Sequence, residues 1–201
     1  MKLFGSATSP FVRKVMVLIH EAGLTGIEVH DVVVSPVAEG TLPLNANPLG
    51  KIPALLLDDG RAIYDSRVIC RYLDEHGQAG FYPKGDALWD VLTLEALADG
   101  ITEAALAMAY EVRLRPEEQR FLPWVEGQWL KIARGLDAIE ADAAGQLQGP
   151  LNMGHIALGA AFGYLDLRHS ARDWRNGRPA LAAWEAKVAA RPSMLATVPK
   201  G

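Results

Sequence analysis

The most constraining stretch of this sequence runs from Asn47 to Ile69 and reads N-P-L-G-K-I-P-A-L-L-L-D-D-G-R-A-I-Y-D-S-R-V-I. Pro53 comes directly before an apolar run, and the turn sequence Asp58-Asp59-Gly60 separates that run from a second short strand. Asp65 and Ser66 are capping residues placed just before a segment with helical apolar spacing. The stretch therefore predicts a strand, a tight turn, a second strand and a capped helix.

Pro53 lies where the first of these strands begins, and it has no N–H group to donate to a sheet. A cis Ile52–Pro53 bond would turn the N–H and C=O of Ile52 outward, where an extended peptide could pair with them. An ordinary trans proline at a strand edge is the other reading, since about 5–6% of X–Pro bonds in folded proteins are cis. The residues by themselves leave both forms open.

Upstream of this stretch, Ser9 is a favoured N-cap residue and Pro10 suits the first position of a helix. The apolar spacing in that helix places Arg13 and Lys14 on its outward face. The elements predicted before Asn47 are, in order, a strand over 2–4, a helix over 10–22, a strand over 27–34 and a loop over 35–48.

The strand signal ends after residue 77, and a Gly- and Pro-containing linker over 77–86 separates the two parts of the chain. Everything beyond the linker has helical apolar spacing. We expect helices over 87–114, 116–143 with a kink at Pro123, 152–168 and 179–190. The sequence thus predicts an α/β domain followed by an all-α domain.

Composition narrows the class of protein. The chain has 201 residues, a formal net charge of −4 and one cysteine, Cys70. The charge and the lack of a basic patch argue against a nucleic-acid partner. One cysteine excludes a disulfide framework, the five histidines lack metal-ligand spacing, and no apolar run approaches 18 residues. We expect a cytoplasmic protein without a membrane segment or a metal site, in which Cys70 is a small buried residue.

Two motifs carry a resemblance to a known family. The N-P-L-G-K-I-P-A-L run with D-S some ten residues later, and S-P-F-V-R-K-V after a short strand, resemble the glutathione site of glutathione S-transferases. The resemblance covers nearly the whole chain. It implies a thioredoxin-like domain over 1–77, an all-α helical bundle over 86–201, glutathione as co-substrate, a small electrophile as second substrate, and a homodimer.

The resemblance also implies roles for individual residues. Ile52, before a cis Pro53, would hold the cysteinyl backbone of glutathione, and Lys51 would meet its glycyl carboxylate. Asp65 and Ser66 would bind the γ-glutamyl end. Three further residues of the second domain would take part: Asp99 through the dimer, and Tyr110 with Arg113 in the electrophile pocket.

Ser9 is the candidate catalytic residue. A helix N-terminus stabilises an anion through its unpaired N–H groups and its dipole, and the Ser9 hydroxyl could donate one more hydrogen bond to a thiolate. Ser9 and Val12 stand where related C-P-x-C turns carry two cysteines, so dithiol–disulfide exchange is excluded. Ser6, and then Thr8, are the alternative donors for the thiol.

Simpler readings of the same residues stay open. Ser9 could serve as a cap and nothing more, and Asp65-Ser66 could do the same for the next helix. Lys51 and Asp99 could be solvated surface charges. In the last domain Asn152 can cap its helix, but His155 stands where the family commonly has an acidic capping partner, so that helix start must be secured in another way.

Three functions follow from this reading. The first is a glutathione transferase that ionises the thiol and conjugates it to an electrophile. The second is a glutathione-dependent peroxidase or isomerase on the same site, and the third is a non-catalytic relative that binds a protein partner. The joint presence of Ser9, Pro53, Asp65 and Ser66 argues against the third.

Overall fold

The structure is a computed structural model that describes residues 1–199. The chain forms two compact units, one built from residues 1–83 and 192–199, the other from residues 84–191. The sequence assigned everything after residue 86 to the second domain. The packing differs at this end of the chain, because the short helix that begins at Pro192 contacts the first helix of the chain.

Residues 1–77 have the predicted order of strands and helices, and their thioredoxin-like pattern is confirmed, whereas the short helix that begins at Pro192 was not predicted. Strand β2 is shorter than predicted because it pairs with only the four residues of β1. The elements are β1 (Lys2–Gly5), α1 (Pro10–Glu21), β2 (Glu28–Asp31), β3 (Ala54–Leu56), β4 (Ala62–Ile63), α2 (Ser66–Gly77) and, from the end of the chain, α8 (Pro192–Ala196).

The four strands form one sheet in the order β2-β1-β3-β4. Strand β1 runs parallel to β2 and antiparallel to β3, with Phe4 opposite Ala54, and β4 returns antiparallel to β3 with Ile63 opposite Leu55. In this register the end of β1, the start of β3 and the end of β4 lie at the same edge of the sheet. The segments that follow β1 and β4 therefore lie near the segment that precedes β3.

Helix α1 is buried on more sides than its sequence spacing predicts. Arg13 and Lys14 are 8% and 1% exposed, so the prediction that they face outward is wrong. Helix α8 covers Arg13, whose Nη2 donates to the Met194 carbonyl of α8 at 3.2 Å. Ser193 of α8 also donates to a carboxylate oxygen of Glu21. The spacing of apolar residues within α1 could not reveal that a helix from the far end of the chain packs on α1.

The second unit contains helices and no strand among its residues. The predicted single helix over 116–143 is wrong at its start: Pro116 favours an extended Arg115 (φ −101°, ψ 139°), and a 3₁₀ turn over Glu117–Gln119 follows. Pro123 lies in the first turn of α4, where proline causes no kink. The helices are α3 (Ala87–Leu114), α4 (Leu122–Ala141), α5 (Ala143–Gln146), α6 (Met153–His169) and α7 (Pro179–Ala189).

Helix α6 is the centre of the second unit. Twelve of its seventeen residues are buried, and it packs along α3. Gly154 permits this approach, because a Cβ added there would lie 2.9 Å from the Cβ of Leu94. Leu158, Phe162 and Leu165 of α6 are fully buried in the core. Within residues 1–199, no helix is both long and apolar enough to cross a bilayer.

Candidate functional site

The sheet edge described above brings together three segments of the first unit that the sequence singled out. They are the turn from Ser6 to Ser9, the loop that ends at Pro53, and the Asp65-Ser66 start of α2. Two helix N-termini, those of α1 and α2, therefore open near one loop whose backbone leads into β3. An arrangement of this kind offers N–H groups and positive helix ends to an anionic ligand.

Ser9 caps α1. Its Oγ accepts a hydrogen bond from the Val12 N–H at 3.3 Å, and its carbonyl accepts from the Arg13 N–H at 2.9 Å. Pro10 has no N–H, and the Phe11 N–H pairs with no other group within residues 1–199. The first turn contains no acidic side chain to neutralise the helix end. Because capping uses the oxygen of Ser9, its hydroxyl proton is still available to a ligand.

The other two hydroxyls of this turn are engaged with each other, since the Oγ of Ser6 and the Oγ1 of Thr8 lie 3.1 Å apart. One of the two must donate in this pair, which leaves a single proton to offer between them. Ser9 has no such competitor. Its backbone N–H is held by the Ser6 carbonyl at 3.0 Å, which fixes the turn.

The Ile52–Pro53 peptide is cis, as the resemblance implies, and the Tyr64–Asp65 peptide is cis as well. Pro53 is buried and Ile52 is half-buried. Throughout the part of the chain that the structure describes, neither the N–H nor the C=O of Ile52 pairs with another backbone group. A backbone with both groups unpaired can bind an extended peptide by adding two hydrogen bonds.

Asn47 organises the loop that delivers Ile52, a role that sequence reasoning missed. Its side chain is 3% exposed, its Nδ2 donates to the Lys51 carbonyl at 2.8 Å, and its Oδ1 accepts from the Leu49 N–H at 3.0 Å. The Gly50 N–H closes the turn on the Asn47 carbonyl at 2.9 Å. The available signal was an Asn that precedes a Pro-x-Gly run, which is typical of an Asx turn.

Asp65 and Ser66 have different roles at the start of α2. Asp65 is the exposed N-cap, and its Oδ1 accepts from the Arg67 N–H at 3.0 Å. Ser66 is the first residue of the helix and is 3% exposed. Within the described range, the N–H groups of Ser66 and Val68 have no hydrogen-bond partner. A carboxylate could therefore be held by this helix end without displacing the cap.

Lys51 and Asp99 differ in exposure. Lys51 is exposed beside Ile52, and its carbonyl is taken by Asn47. Asp99 belongs to α3 in the second unit and is 3% exposed, so the reading of Asp99 as a solvated charge is wrong. Its predicted contact with glutathione across a dimer stays a prediction. Cys70 is fully buried, which confirms its prediction as a small interior residue.

Tyr110 and Arg113 belong to a group of side chains on two helices of the second unit. We call this group the Tyr–Arg cluster: Tyr110 and Arg113 of α3 with Tyr164 and Arg168 of α6. Burial is the main effect on the pKa of Tyr164 and raises it, and Tyr110 raises it as well. The positive charges of Arg168 and Arg113 lower this pKa, and Arg168 also lowers it through a hydrogen bond. No pattern in the sequence linked the two α6 residues to the α3 pair.

His155 stabilises the start of α6, although it stands where the family commonly has an acidic capping partner. The Asn152 Oδ1 accepts from the His155 N–H at 3.0 Å, so Asn152 is the cap. The His155 ring is 2% exposed, and its Nε2 lies 2.8 Å from the Gln146 carbonyl. Burial lowers the pKa of His155, while hydrogen bonds to the carbonyls of Gln146 and Pro150 oppose that effect.

Both units match families with known members. The family model for the glutathione S-transferase N-terminal domain matches residues 8–76, and that for the C-terminal domain matches residues 123–187. The GST-like protein YibF of Escherichia coli K12 is 36% identical over 210 residues, which cover 99% of this chain and 98% of YibF.

Solved structures agree with these matches. A glutathione transferase family member from Pseudomonas fluorescens Pf-5 with bound glutathione is 46% identical, with a TM-score of 0.95 over 100% of this chain and 99% of that one. A structure from the same bacterium with bound S-(propanoic acid)-glutathione is 45% identical, with a TM-score of 0.91 over the whole of both chains. The fold is thus the glutathione S-transferase fold, and the chain belongs to the glutathione S-transferase family.

Proposed function

We propose that this protein binds glutathione, keeps the glutathione thiol ionised, and conjugates the sulfur to a small electrophile. The single observation that supports this most strongly is the unpaired backbone of Ile52 beside the open N-termini of α1 and α2 at one sheet edge. The solved relatives that hold glutathione or S-(propanoic acid)-glutathione support it, since the second of these ligands is a glutathione already joined through sulfur to another group.

The tripeptide would bind along the segments in a defined order. The N–H and C=O of Ile52 would pair with the cysteinyl residue, as in strand addition. The Ser66 hydroxyl and the free N–H groups of α2 would take the γ-glutamyl carboxylate, with Asp65 facing its ammonium group. Lys51, which is exposed beside Ile52, would meet the glycyl carboxylate.

Ionisation of the thiol is the chemical task of α1. A free thiol has a pKa near ~8.5, so at neutral pH it is mostly protonated and a poor nucleophile. The Ser9 hydroxyl and the unpaired Phe11 N–H would both donate to the sulfur, and the helix dipole favours the anion. Lowering the thiol pKa by about two units is worth roughly 2.7 kcal/mol and makes the thiolate the main species.

We include a homodimer in the proposal, with Asp99 acting toward glutathione bound by the partner. The resemblance implies the dimer, and the apolar side chain of Val68, which is 49% exposed on α2, gives it surface to bury. Light scattering should then report twice the chain mass of 21.8 kDa. Asp99→Asn should weaken glutathione binding in the dimer, and a monomeric mass would contradict this part of the proposal.

The proposal is tested by titrating glutathione into the protein and following thiolate absorbance against pH. We expect the bound thiol to have its pKa about two units below the free value. Ser9→Ala should raise that pKa and lower turnover of a general electrophile, whereas Ser6→Ala should change neither. The proposal fails if glutathione does not bind. The assignment of Ser9 fails if Ser6→Ala, and not Ser9→Ala, abolishes ionisation.

A further inference from the structure

Helix α8 packs on α1 within the first unit, and hydrogen bonds join the two helices at two places. The Arg13 Nη2 donates to the Met194 carbonyl at 3.2 Å, and the Ser193 hydroxyl donates to a carboxylate oxygen of Glu21. Arg13 and Glu21 are eight positions apart in the sequence, so their backbones lie about 12 Å apart along the axis of α1. Contacts at two separated points restrain the direction of α1 as well as its position.

The side chains of α8 include a buried pair and an exposed neighbour. Ser193 and Met194 are 5% and 1% exposed, whereas Leu195 is 61% exposed. The Thr197 hydroxyl donates to the Ser193 carbonyl at 2.8 Å and closes the end of the helix. A helix of five residues is too short to be stable by itself, so α8 keeps its shape because Ser193 and Met194 are packed in the first unit.

Arg13 connects α8 with the residue that we propose ionises the thiol. Its backbone N–H donates to the Ser9 carbonyl at 2.9 Å, which is the bond that begins α1, while its guanidinium is bonded to α8. The neighbouring Val12 N–H donates to the Ser9 Oγ at 3.3 Å. A displacement of Arg13 would therefore move the backbone of Ser9 and change the direction of its hydroxyl.

The first turn of α1 is held from two directions. Val12 packs over Gly5 at the end of β1, where a Cβ added to Gly5 would lie 2.5 Å from the Val12 Cγ1. Arg13, the next residue, is bonded to α8. Consecutive side chains of a helix project about 100° apart around its axis, so these two contacts together restrain rotation of α1 about that axis.

The residue type at position 13 also favours a positioning role. Burial of a guanidinium costs free energy unless its donors are hydrogen-bonded, so an apolar side chain would suit a contact that served packing alone. The N–H groups of arginine are rigid and directional, and they therefore fix an orientation as well as a distance. Arg13 is 8% exposed and donates to a backbone carbonyl, whose own direction is set by α8.

We propose that Arg13 is a positioning residue which, held by α8, keeps the first turn of α1 and the Ser9 hydroxyl in the orientation that ionises the glutathione sulfur. This inference deepens the proposed function and rests on it. Helix α8 contributes no residue to the proposed glutathione site, so it would act on the thiol only through α1. Loosening α8 should therefore change the ionisation of the thiol while Ser9 itself is intact.

The test follows the pKa of the bound glutathione thiol, measured by thiolate absorbance against pH in the full-length protein. Met194→Ala removes the most buried side chain of α8 and should raise this pKa by about half a unit to one unit, because the first turn of α1 becomes less ordered. Leu195→Ala, at an exposed position of the same helix, should leave it at the native value. A native thiol pKa in Met194→Ala would overturn the inference.

Substitutions of Arg13 separate its position from its charge. Arg13→Met should raise the thiol pKa at least as much as Met194→Ala does. Arg13→Lys should raise it by less, because an ammonium keeps the charge and a donor but lacks the planar fork of a guanidinium. A native thiol pKa in Arg13→Lys would mean that charge alone acts, and it would overturn the inference.

A variant of the other unit controls for stability. Leu136 is fully buried in the core of the second unit, so Leu136→Ala should lower the free energy of unfolding as Met194→Ala does. It should leave the thiol pKa at the native value, and an equal rise in both variants would overturn the inference. If Met194→Ala does not fold, Ser193→Ala carries the test with a smaller rise, since it removes only the bond to Glu21.

The proposed function and this inference fail in different ways. If the native protein does not bind glutathione, or leaves the bound thiol near the free pKa of ~8.5, both are wrong. If the native protein lowers the thiol pKa and Ser9→Ala raises it, while Met194→Ala and Arg13→Met leave it unchanged, the proposed function survives and the role of Arg13 is wrong.

Discussion

The hydroxyl of Ser9 and the amide of Asn47 belong to two of the segments that meet at the same sheet edge. Ser9 uses its oxygen for the Val12 N–H and keeps a proton for the proposed sulfur. Asn47 touches no proposed ligand group, yet both ends of its amide are engaged within the loop that presents Ile52. Ser9 can therefore still donate a hydrogen bond to a ligand, whereas Asn47 acts by ordering the loop around Ile52.

We predict that Asn47→Ala weakens glutathione binding more than it slows the chemical step. Loss of the amide leaves the Lys51 carbonyl and the Leu49 N–H without their partner, at a cost of about 1–3 kcal/mol. The Ile52 backbone would then be less well ordered for pairing. Glutathione KM should rise several-fold with kcat nearly unchanged, while Asn45→Ala, at an exposed position of the same loop, should behave as the native protein.

Removal of the Ser66 hydroxyl should also act on glutathione binding. Ser66→Ala removes a donor from a buried position at the start of α2 but keeps the Asp65 cap. A hydrogen bond to a charged group contributes about 1.5–3 kcal/mol, so glutathione affinity measured by calorimetry should fall by roughly ten- to a hundred-fold. Unchanged affinity would place the γ-glutamyl carboxylate elsewhere.

At the scale of elements, the contact between the end of β1 and the first turn of α1 sets where Ser9 lies. Gly5 ends β1, and Val12 packs over it from α1. A Cβ added at Gly5 would lie 2.5 Å from Cγ1 of Val12 and 3.0 Å from Cγ2. A β-branched side chain has few rotamers with which to move away, so the strand and helix would have to separate.

Gly5→Ala should therefore destabilise the protein and impair catalysis together. Overpacking of this kind costs about 1–3 kcal/mol, and the shift of α1 carries Ser9 with it. Gly127→Ala is the matched control: no atom lies within 4 Å of its added Cβ, and glycine inside a helix costs about 0.5–1 kcal/mol relative to alanine. Urea unfolding should show opposite signs for the two variants, and only Gly5→Ala should alter the thiol pKa.

For the whole molecule, two histidines connect stability to pH: His155, which is buried, and His169, which is half-buried. The Nε2 of His155 lies 2.8 Å from the Gln146 carbonyl before α6, and the Nε2 of His169 lies 2.8 Å from the Ala105 carbonyl of α3. Burial is the main cause that lowers the pKa of each, and for His169 the charges of Arg172 and Arg168 lower it further. Both histidines therefore resist protonation in the folded state.

We predict that the free energy of unfolding falls as the pH is lowered below about 6.5, the pKa of an unfolded histidine. In that range the unfolded chain binds protons that the folded chain does not, and each histidine contributes a slope of up to ~1.4 kcal/mol per pH unit until its folded pKa is reached. Urea unfolding between pH 7.5 and 5.5 measures this slope. His155→Gln should reduce it, and His76→Gln, at an exposed position, should not.

The order of strands and helices over residues 1–77, the caps at Ser9, Asp65 and Asn152, and the family motifs could all be read from neighbouring residues. Local propensity, turn chemistry and capping depend on side chains a few positions apart, so a linear sequence contains them. The predicted cis Ile52–Pro53 bond came from the resemblance, since the residues themselves left it open. The single helix predicted from Pro116 failed because the apolar spacing outweighed the effect of that proline on Arg115.

What the sequence could not supply is every feature that depends on residues far apart along the chain. The burial of Arg13 beneath Met194 spans 181 positions. Tyr110 and Arg113 of α3 act on the pKa of Tyr164 because α6 packs on α3, which Gly154 permits. Such contacts arise when separate apolar faces are buried against one another, and periodicity shows that a face exists without showing which face will cover it.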